Sequence, residues 1–358
     1  MTDPAARRAL VYLGWQGFEN FGDDLLHDTW HAALGGRFAA CAPLGRDYLR
    51  RAPQVIGTRL RAVGFERLVL LGGGTTVGFA NWGRHARRAL TAYGASSLIV
   101  AGAGIAASTD ERALSTQRQD WDVWAGLPSV SYFGVRGPIS SAESAIHWRD
   151  APVVGDPALL YPVVRPFAVA GGPSSLGVSI GAGGRSSFDL EAVAAAVDAC
   201  RERTTAERVL VVQLAEEDAA VCARLRALLR SPSALVEFRG DVPDTMRAIA
   251  GTRLFFSERL HGVVAGVALG VPTVPLAYAS KSVDFWSSVT DRPLVSATAG
   301  AAELCAAAEA ALDPTEQDAI ASRVAALCAH LSGAVELIRG WQDGSLSTAA
   351  LIAAANAR

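Results

Sequence analysis

Short apolar runs that stop at glycine recur along this chain, and that recurrence leaves few folds open. Residues 9–13 (ALVYL) end at Gly14, and residues 67–71 (RLVLL) end at Gly72-Gly73-Gly74. Residues 97–101 (SLIVA) run into Gly102-Ala103-Gly104, and residues 130–135 (VSYFGV) into Arg136-Gly137-Pro138. A shorter run, 152–154, meets Gly155-Asp156-Pro157. Helical spacing fills several gaps: Leu25, Leu26, Trp30 and Leu34 share one face of a helix predicted over 23–34, and another spans about 81–93. Strand, glycine turn and helix in repetition is the pattern of a parallel sheet with helices on both faces.

Residues 161–175 are rich in Pro and Gly and read as a linker, after which the pattern restarts. Strands are expected over 176–180, 208–214, 235–238, 253–256 and 273–277, with helices over 189–203, 217–230, 243–250 and 262–269. The tail from about 301 to 355 reads as helices with a break near 340–344. A chain of 358 residues exceeds what one core usually spans. The expectation is an α/β protein with two Rossmann-like domains, 1–165 and 174–335, and a helical tail, 336–358. Open parallel sheets bind ligands at the carboxyl ends of their strands, where most of these glycine turns fall. Two such sheets are therefore expected to face a central cleft.

Charge and composition exclude several classes. The net charge of −2 gives no basic field for nucleic acid. The 33 basic residues include a single lysine, Lys281, so a lysine-based covalent scheme has one candidate. The five cysteines form no C-x-x-C pair and fit a reducing compartment. No signal-peptide pattern opens the chain, and no run of about 18 uninterrupted apolar residues suggests a transmembrane segment. A cytoplasmic location is expected.

Five segments carry candidate chemistry. Ser257-Glu258-Arg259-Leu260-His261-Gly262 follows a strand and opens a helix, where free N–H groups favour anions. Arg259 can make paired hydrogen bonds to a carboxylate or phosphate, and His261 can move a proton near neutral pH. A structural reading stands beside this one: a Glu258–Arg259 ion pair with His261 capping a turn. Arg136, with Ser140 three residues past Gly137, repeats the strand–arginine–helix arrangement; the alternative is a surface arginine stacked on Tyr132 or Phe133. Asp156 could bind a hydroxyl or accept a proton, or simply form an Asx turn before Pro157. Asn20 and Asp23, in the first loop, suit hydroxyl binding, although Asp23 and Asp24 also favour a helix start with no ligand. Gly73, Gly74 and Thr75 allow close approach of a ligand or of another backbone. Neither a dinucleotide fingerprint nor a G-K-[ST] phosphate loop is present, and His27 with His31 makes no metal site, so no metal or nicotinamide cofactor is expected.

The order of these segments is more specific than any one of them. N-x-G-D-D at 20–24, L-G-G-G-T at 71–75, V-R-G-P-x-S at 135–140, G-D-P-A-L-L at 155–160, S-E-R-L-H-G at 257–262 and G-V-P at 270–272 together resemble the polysaccharide pyruvyl transferase family. The resemblance covers about 10–279. It implies a GT-B-like fold, phosphoenolpyruvate as donor substrate and a saccharide or glycosylated acceptor that receives pyruvate as a ketal. It also implies that Arg259, Leu260 and His261 line the donor site, with Arg136 as a second anion ligand; Gly262 is a further substrate-binding candidate. On residue chemistry, His261 would protonate the methylene carbon, Glu258 would support its charge, and Asp156 or Asp23 would orient the acceptor. The chain departs from many relatives at Gly137, where they carry aspartate, and in the aromatic first loop with Trp15, Phe18 and Phe21. Two other readings stay open. A nucleotide-sugar glycosyltransferase of the same fold would need an acidic ribose ligand late in the chain, where Glu237 and Asp284 stand. A non-catalytic sugar-binding protein would need no His261.

Overall fold

The computed structural model describes residues 8–168, 172–181, 183, 184 and 186–356. Residues 169–171 of the expected linker, and Ala182 and Arg185 after the expected strand 176–180, lie outside the described residues. The strands are β1 (Arg8–Leu13), β2 (Phe38–Cys41), β3 (Glu66–Leu71), β4 (Thr75–Val77), β5 (Ser97–Ile105), β6 (Val130–Val135), β7 (Ser175–Ser179), β8 (Arg208–Gln213), β9 (Ser233–Glu237), β10 (Thr252–Ser257) and β11 (Thr273–Pro275). The helices are α1 (Phe21–Ala33), α2 (Asp47–Arg50), α3 (Ala52–Arg61), α4 (Ala80–Tyr93), α5 (Glu111–Leu114), α6 (Trp121–Ala125), α7 (Pro138–His147), α8 (Tyr161–Val164), α9 (Leu190–Arg203), α10 (Ala219–Leu228), α11 (Val242–Ala250), α12 (Leu260–Ala268), α13 (Ser280–Val289), α14 (Ala301–Ala311), α15 (Pro314–Asp343) and α16 (Thr348–Asn356).

The chain divides into two compact units, each with its own parallel sheet. The first holds the described residues up to Trp15, then Leu26–Pro157, then everything from Leu327 on. Its sheet runs β2-β1-β3-β5, with β6 on the other edge of β5 and β4 pairing the end of β5, Thr75 opposite Gly104. All nine residues of β5 are buried, the mark of a parallel strand covered on both faces. The second unit holds Gln16–Leu25 and Ala158–Ala326, with the sheet β11-β10-β7-β8-β9. Each fully buried Val, Leu or Ile in such a core contributes roughly 1.5–3 kcal/mol.

These boundaries differ from the expected 1–165, 174–335 and 336–358. Residues 16–25 belong with the second unit because the backbone hydrogen-bonds there: Phe21 N–H donates to the Leu214 carbonyl at 2.9 Å, and Asn20 bridges Ala215. Phe21 is fully buried and meets Phe238 edge-on at 5.5 Å between ring centres. The start of the expected linker is helical, and Tyr161 in α8 is buried. Glycines 102 and 104, expected in a turn, lie inside β5; Gly102 has φ +84, and a Cβ there would sit 2.4 Å from the Gly155 carbonyl oxygen.

By length and composition α15 could cross a bilayer, with a mean hydropathy of 1.3 over its most apolar stretch. The sequence expectation, built on uninterrupted apolar runs, passed over it. Leu331, Ala334, Ile338 and Trp341 form a buried side on this helix, as in a core helix.

Candidate functional site

In the second unit, β10 delivers Ser257, Glu258 and Arg259 to its carboxyl end, and α12 starts at Leu260 with Arg259 as N-cap. Ser257 donates to the Arg259 carbonyl at 2.9 Å, which tightens the strand-to-helix corner. Gly262 closes the corner: a Cβ there would lie 2.2 Å from Ser257 Oγ and 2.8 Å from Leu214. Gly262 and Leu260, both buried, are thus packing residues that aim their neighbours.

Arg259 is held by two carboxylates. Its Nε donates to Asp218 Oδ2 at 2.7 Å and its Nη2 to Asp218 Oδ1 at 2.9 Å, a side-on pair. Nη2 also donates to Glu217 Oε1 at 2.5 Å. Burial works against the guanidinium charge, but the hydrogen bonds and charges of Asp218 and then Glu217 outweigh it and hold the pKa above its ordinary value. The Nε and Nη2 hydrogens are thereby committed, which leaves Nη1 for an external anion. The fork expected to grip a substrate carboxylate is occupied by Asp218, which is fully buried.

Among the described residues Glu258 does not form the ion pair with Arg259. Its buried carboxylate accepts from Gly181 N–H at 2.9 Å and from Ser187 N–H at 2.7 Å, so it fixes the turn after β7. Gly181 packs on Asp218 as well: a Cβ on it would lie 2.5 Å from Asp218 Oδ1.

His261 is half-buried, and residues 20–24 lie over it. A Cβ on Gly22 would come within 2.1 Å of His261 Nδ1, so only glycine fits against the ring. Asn20 Oδ1 accepts from Gly22 N–H at 3.0 Å and sets this turn, while Asp24 accepts from Gly17 N–H at 2.6 Å. Asp23 follows Gly22 at the start of α1, within the electrostatic reach of Lys281 and Arg259. Burial and then the charge of Asp24 push its pKa up to about 7, against the lowering pull of Lys281 and Arg259. Lys281 sits in the first turn of α13 with its Nζ 5.1 Å from the Tyr278 ring centre. Sequence alone singled out neither Asp218 nor Glu217 and marked Lys281 only as the sole lysine. Glu217 and Asp218 fell at the start of the helix expected over 217–230, with nothing local to tie them to Arg259.

The first unit brings its own expected residues together differently. Arg136 and Asp156 are both fully buried, with Nη1 4.0 Å from Oδ2. Arg136 Nη2 donates to Thr75 Oγ1 at 3.2 Å, and the guanidinium lies against Gly104, where a Cβ would be 2.3 Å away. Arg136 is therefore not the surface arginine stacked on Tyr132 or Phe133. Ser140 Oγ is buried and accepts from Ile105 N–H at 2.8 Å. The triple glycine makes room for neighbours: a Cβ on Gly72 would strike Tyr12 Oη at 2.0 Å, one on Gly73 would meet Leu26 at 3.1 Å, and Gly73 and Gly74 have φ +130 and +73. Among the described residues no group of three or more His, Cys, Asp or Glu side chains could hold a metal ion.

Among solved structures, the chain is similar to S. aureus MnaA with UDP, at 9% identity and TM-score 0.60, covering 93% of this chain and 96% of that one. It is similar to UDP-GlcNAc 2-epimerase from Methanocaldococcus jannaschii at 10% identity and TM-score 0.54, over 86% of this chain and 94% of that one. The enzyme of that name from Neisseria meningitidis, bound to UDP-GlcNAc, matches at 10% identity and TM-score 0.52, over 88% and 94%. At such identities the likeness shows the fold alone, a GT-B-like α/β chain with two parallel sheets. No curated protein sequence matches the chain. The sequence profile of the polysaccharide pyruvyl transferases does, over residues 20–280, a span that runs from the loop covering His261 to the start of α13. By that match, over most of its length, the chain belongs to the polysaccharide pyruvyl transferase family.

Proposed function

We propose that this chain transfers a pyruvyl group from phosphoenolpyruvate to two hydroxyls of a saccharide or glycosylated acceptor, forming a ketal and releasing phosphate. The observation that carries the reading is the setting of Arg259: a guanidinium locked by Asp218 with Nη1 left over, two residues before His261, with Asp23 within electrostatic reach of both Arg259 and Lys281. A donor with a phosphate and a carboxylate needs such separate cationic points, and the first turn of α12 adds N–H groups that favour anions. In this scheme Arg136 stands beside Asp156 as its buried partner and is not called on as a donor ligand.

In this scheme protonated His261 gives its proton to the methylene carbon, and C2 becomes electrophilic. One acceptor hydroxyl attacks C2 and passes its proton to the Asp23 carboxylate. The C2–O bond to phosphate breaks, and phosphate leaves with the proton from Asp23. The second hydroxyl then closes the ketal and returns a proton to His261. The two acceptor protons end on the new methyl group and on phosphate, so both side chains are restored. A pKa near 7 suits Asp23 to both halves of that exchange. Asp156, enclosed with Arg136, is the poorer choice of base.

Thermal shift with phosphoenolpyruvate against UDP and GDP, followed by phosphate release over a panel of acceptors, tests the reading. Stabilisation by phosphoenolpyruvate and acceptor-dependent phosphate release are expected. Stabilisation by a nucleotide alone would replace it with the sugar-nucleotide reading. Of the two acids that reading would use, Glu237 is paired with Arg239 and Asp284 is fully buried.

A further inference from the structure

The first unit carries an apolar surface that its core does not use. The α3 helix packs inward through Val55, which with Ala62 just past its end is buried. Its other side presents Ile56 and Leu60, at the i, i+4 spacing that puts them on one helical face, and Val63 follows in the turn just past the helix. These residues are 57%, 65% and 70% exposed, and Leu49 in α2 is 82% exposed. Four of the ten large apolar side chains exposed among the described residues thus fall between residues 49 and 63. Single exposed leucines need no explanation, but four large apolar side chains exposed within fifteen residues do.

The charges around these side chains are of one sign. Arg46, Arg50, Arg51, Arg59 and Arg61 are all exposed, and the only acid between Arg46 and Glu66 is Asp47, 3.7 Å from Arg50. Arg46, Arg51, Arg59 and Arg61 enter no ion pair among the described residues. Apolar side chains ringed by arginine match an anionic bilayer surface in both layers. The Leu, Ile and Val side chains reach the acyl boundary, while guanidinium groups stay level with lipid phosphates and bond them in pairs. A second copy of the same face would set five arginines against five, which disfavours self-association.

We propose that residues 46–63 dock the first unit onto an anionic phospholipid surface. This does not rest on the donor chemistry proposed above. The test is co-sedimentation of the full chain with vesicles of phosphatidylcholine alone, or with about a third phosphatidylglycerol. Binding is expected with the anionic vesicles only, falling as salt is raised. An Ile56→Ser/Leu60→Ser variant should bind roughly fivefold or more weakly, the scale of two aliphatic side chains leaving the interface. Arg59→Glu/Arg61→Glu should weaken it comparably. Both pairs are exposed, so unchanged thermal unfolding is expected, and amide exchange of the wild type should slow within 46–63 when vesicles are added. No binding by wild type, equal binding to neutral vesicles, or variants that bind like wild type would overturn the proposal. So would a dimer in solution that the Ile56→Ser/Leu60→Ser change dissolves, which would give the face to a second copy.

Discussion

Arg136 and Arg259 stand at the same place in the chain's local grammar, an arginine between the last strand residue and the first turn of a helix. The structure makes them opposites. Arg136 is sealed, with Asp156, Thr75 and the bare face of Gly104 around it. Arg259 is clamped along one edge by Asp218 and keeps 14% of its side chain exposed. A strand-end arginine is thus a place where either a structural cation or a ligand can be built. What separates the two is burial: Arg136 is fully enclosed beside Asp156, whereas Arg259 is bonded along one edge and stays partly exposed.

The contrast can be broken in several ways. Loss of His261, the acid beside the open arginine, should have the largest effect: His261→Ala should lower kcat for phosphate release by about 10²–10⁴-fold. Near-wild-type turnover would remove histidine from the reaction. Next, Arg136→Met should cost about 3–5 kcal/mol in denaturant unfolding by leaving Asp156 buried beside no cation. Donor KM at a permissive temperature should stay put, and Arg136→Met/Asp156→Leu should recover most of the stability. A raised KM with intact stability would make Arg136 a donor ligand after all.

The third prediction turns on sign. Asp218→Asn removes a negative charge next to a polyanion site, so electrostatics alone would lower donor KM. If Asp218 positions Arg259, KM should instead rise by about tenfold. Glu217→Gln, at the exposed end of the same clamp, should lower KM two- to threefold, roughly the scale of a partly solvated charge. Equal falls in KM for both variants would show that Asp218 does not position the arginine.

The smallest effect is in pH. The carboxyl of Asp23 is raised from 3.8 to about 7 in the folded chain, so between those values the folded state holds more protons than the unfolded one. Its contribution to stability is fully present below about pH 4 and is lost as pH rises through about 7. Asp23→Asn should flatten that part of the thermal unfolding profile. It should also remove the rising limb of kcat/KM near pH 7 expected of a base. An unchanged pH profile would exclude Asp23 from both roles.

Much of the fold was legible because strand, glycine turn and helix each leave a local mark: β6 falls on 130–135 as expected, and α11 and α12 start within two residues of expectation. Elements without that mark escaped. The β2 strand is only four residues, FAAC, with no β-branched side chain to mark it as a strand. The β4 strand is three residues long directly after the triple glycine. The α2 and α3 helices turn arginine and leucine outward, which blurs the helical period. The site was legible in residue type but not in pairing. Glu258 and Arg259 are adjacent in sequence yet serve different partners, and the acids that hold Arg259 lie 41 and 42 residues away. Apposition over such separations is set by the sheet order and not by any neighbouring residue.

The placement of residues 16–25 has a practical corollary for anyone cutting or recombining this protein. Asp23 and Gly22 precede the midpoint of the polypeptide by more than a hundred residues, yet they are tenants of the later half. A fragment starting at residue 158 would carry His261 without its cover. A chimera spliced at that point would set one parent's loop over the other's imidazole, so gene-shuffling junctions should keep residues 16–25 and 158–326 from the same donor sequence.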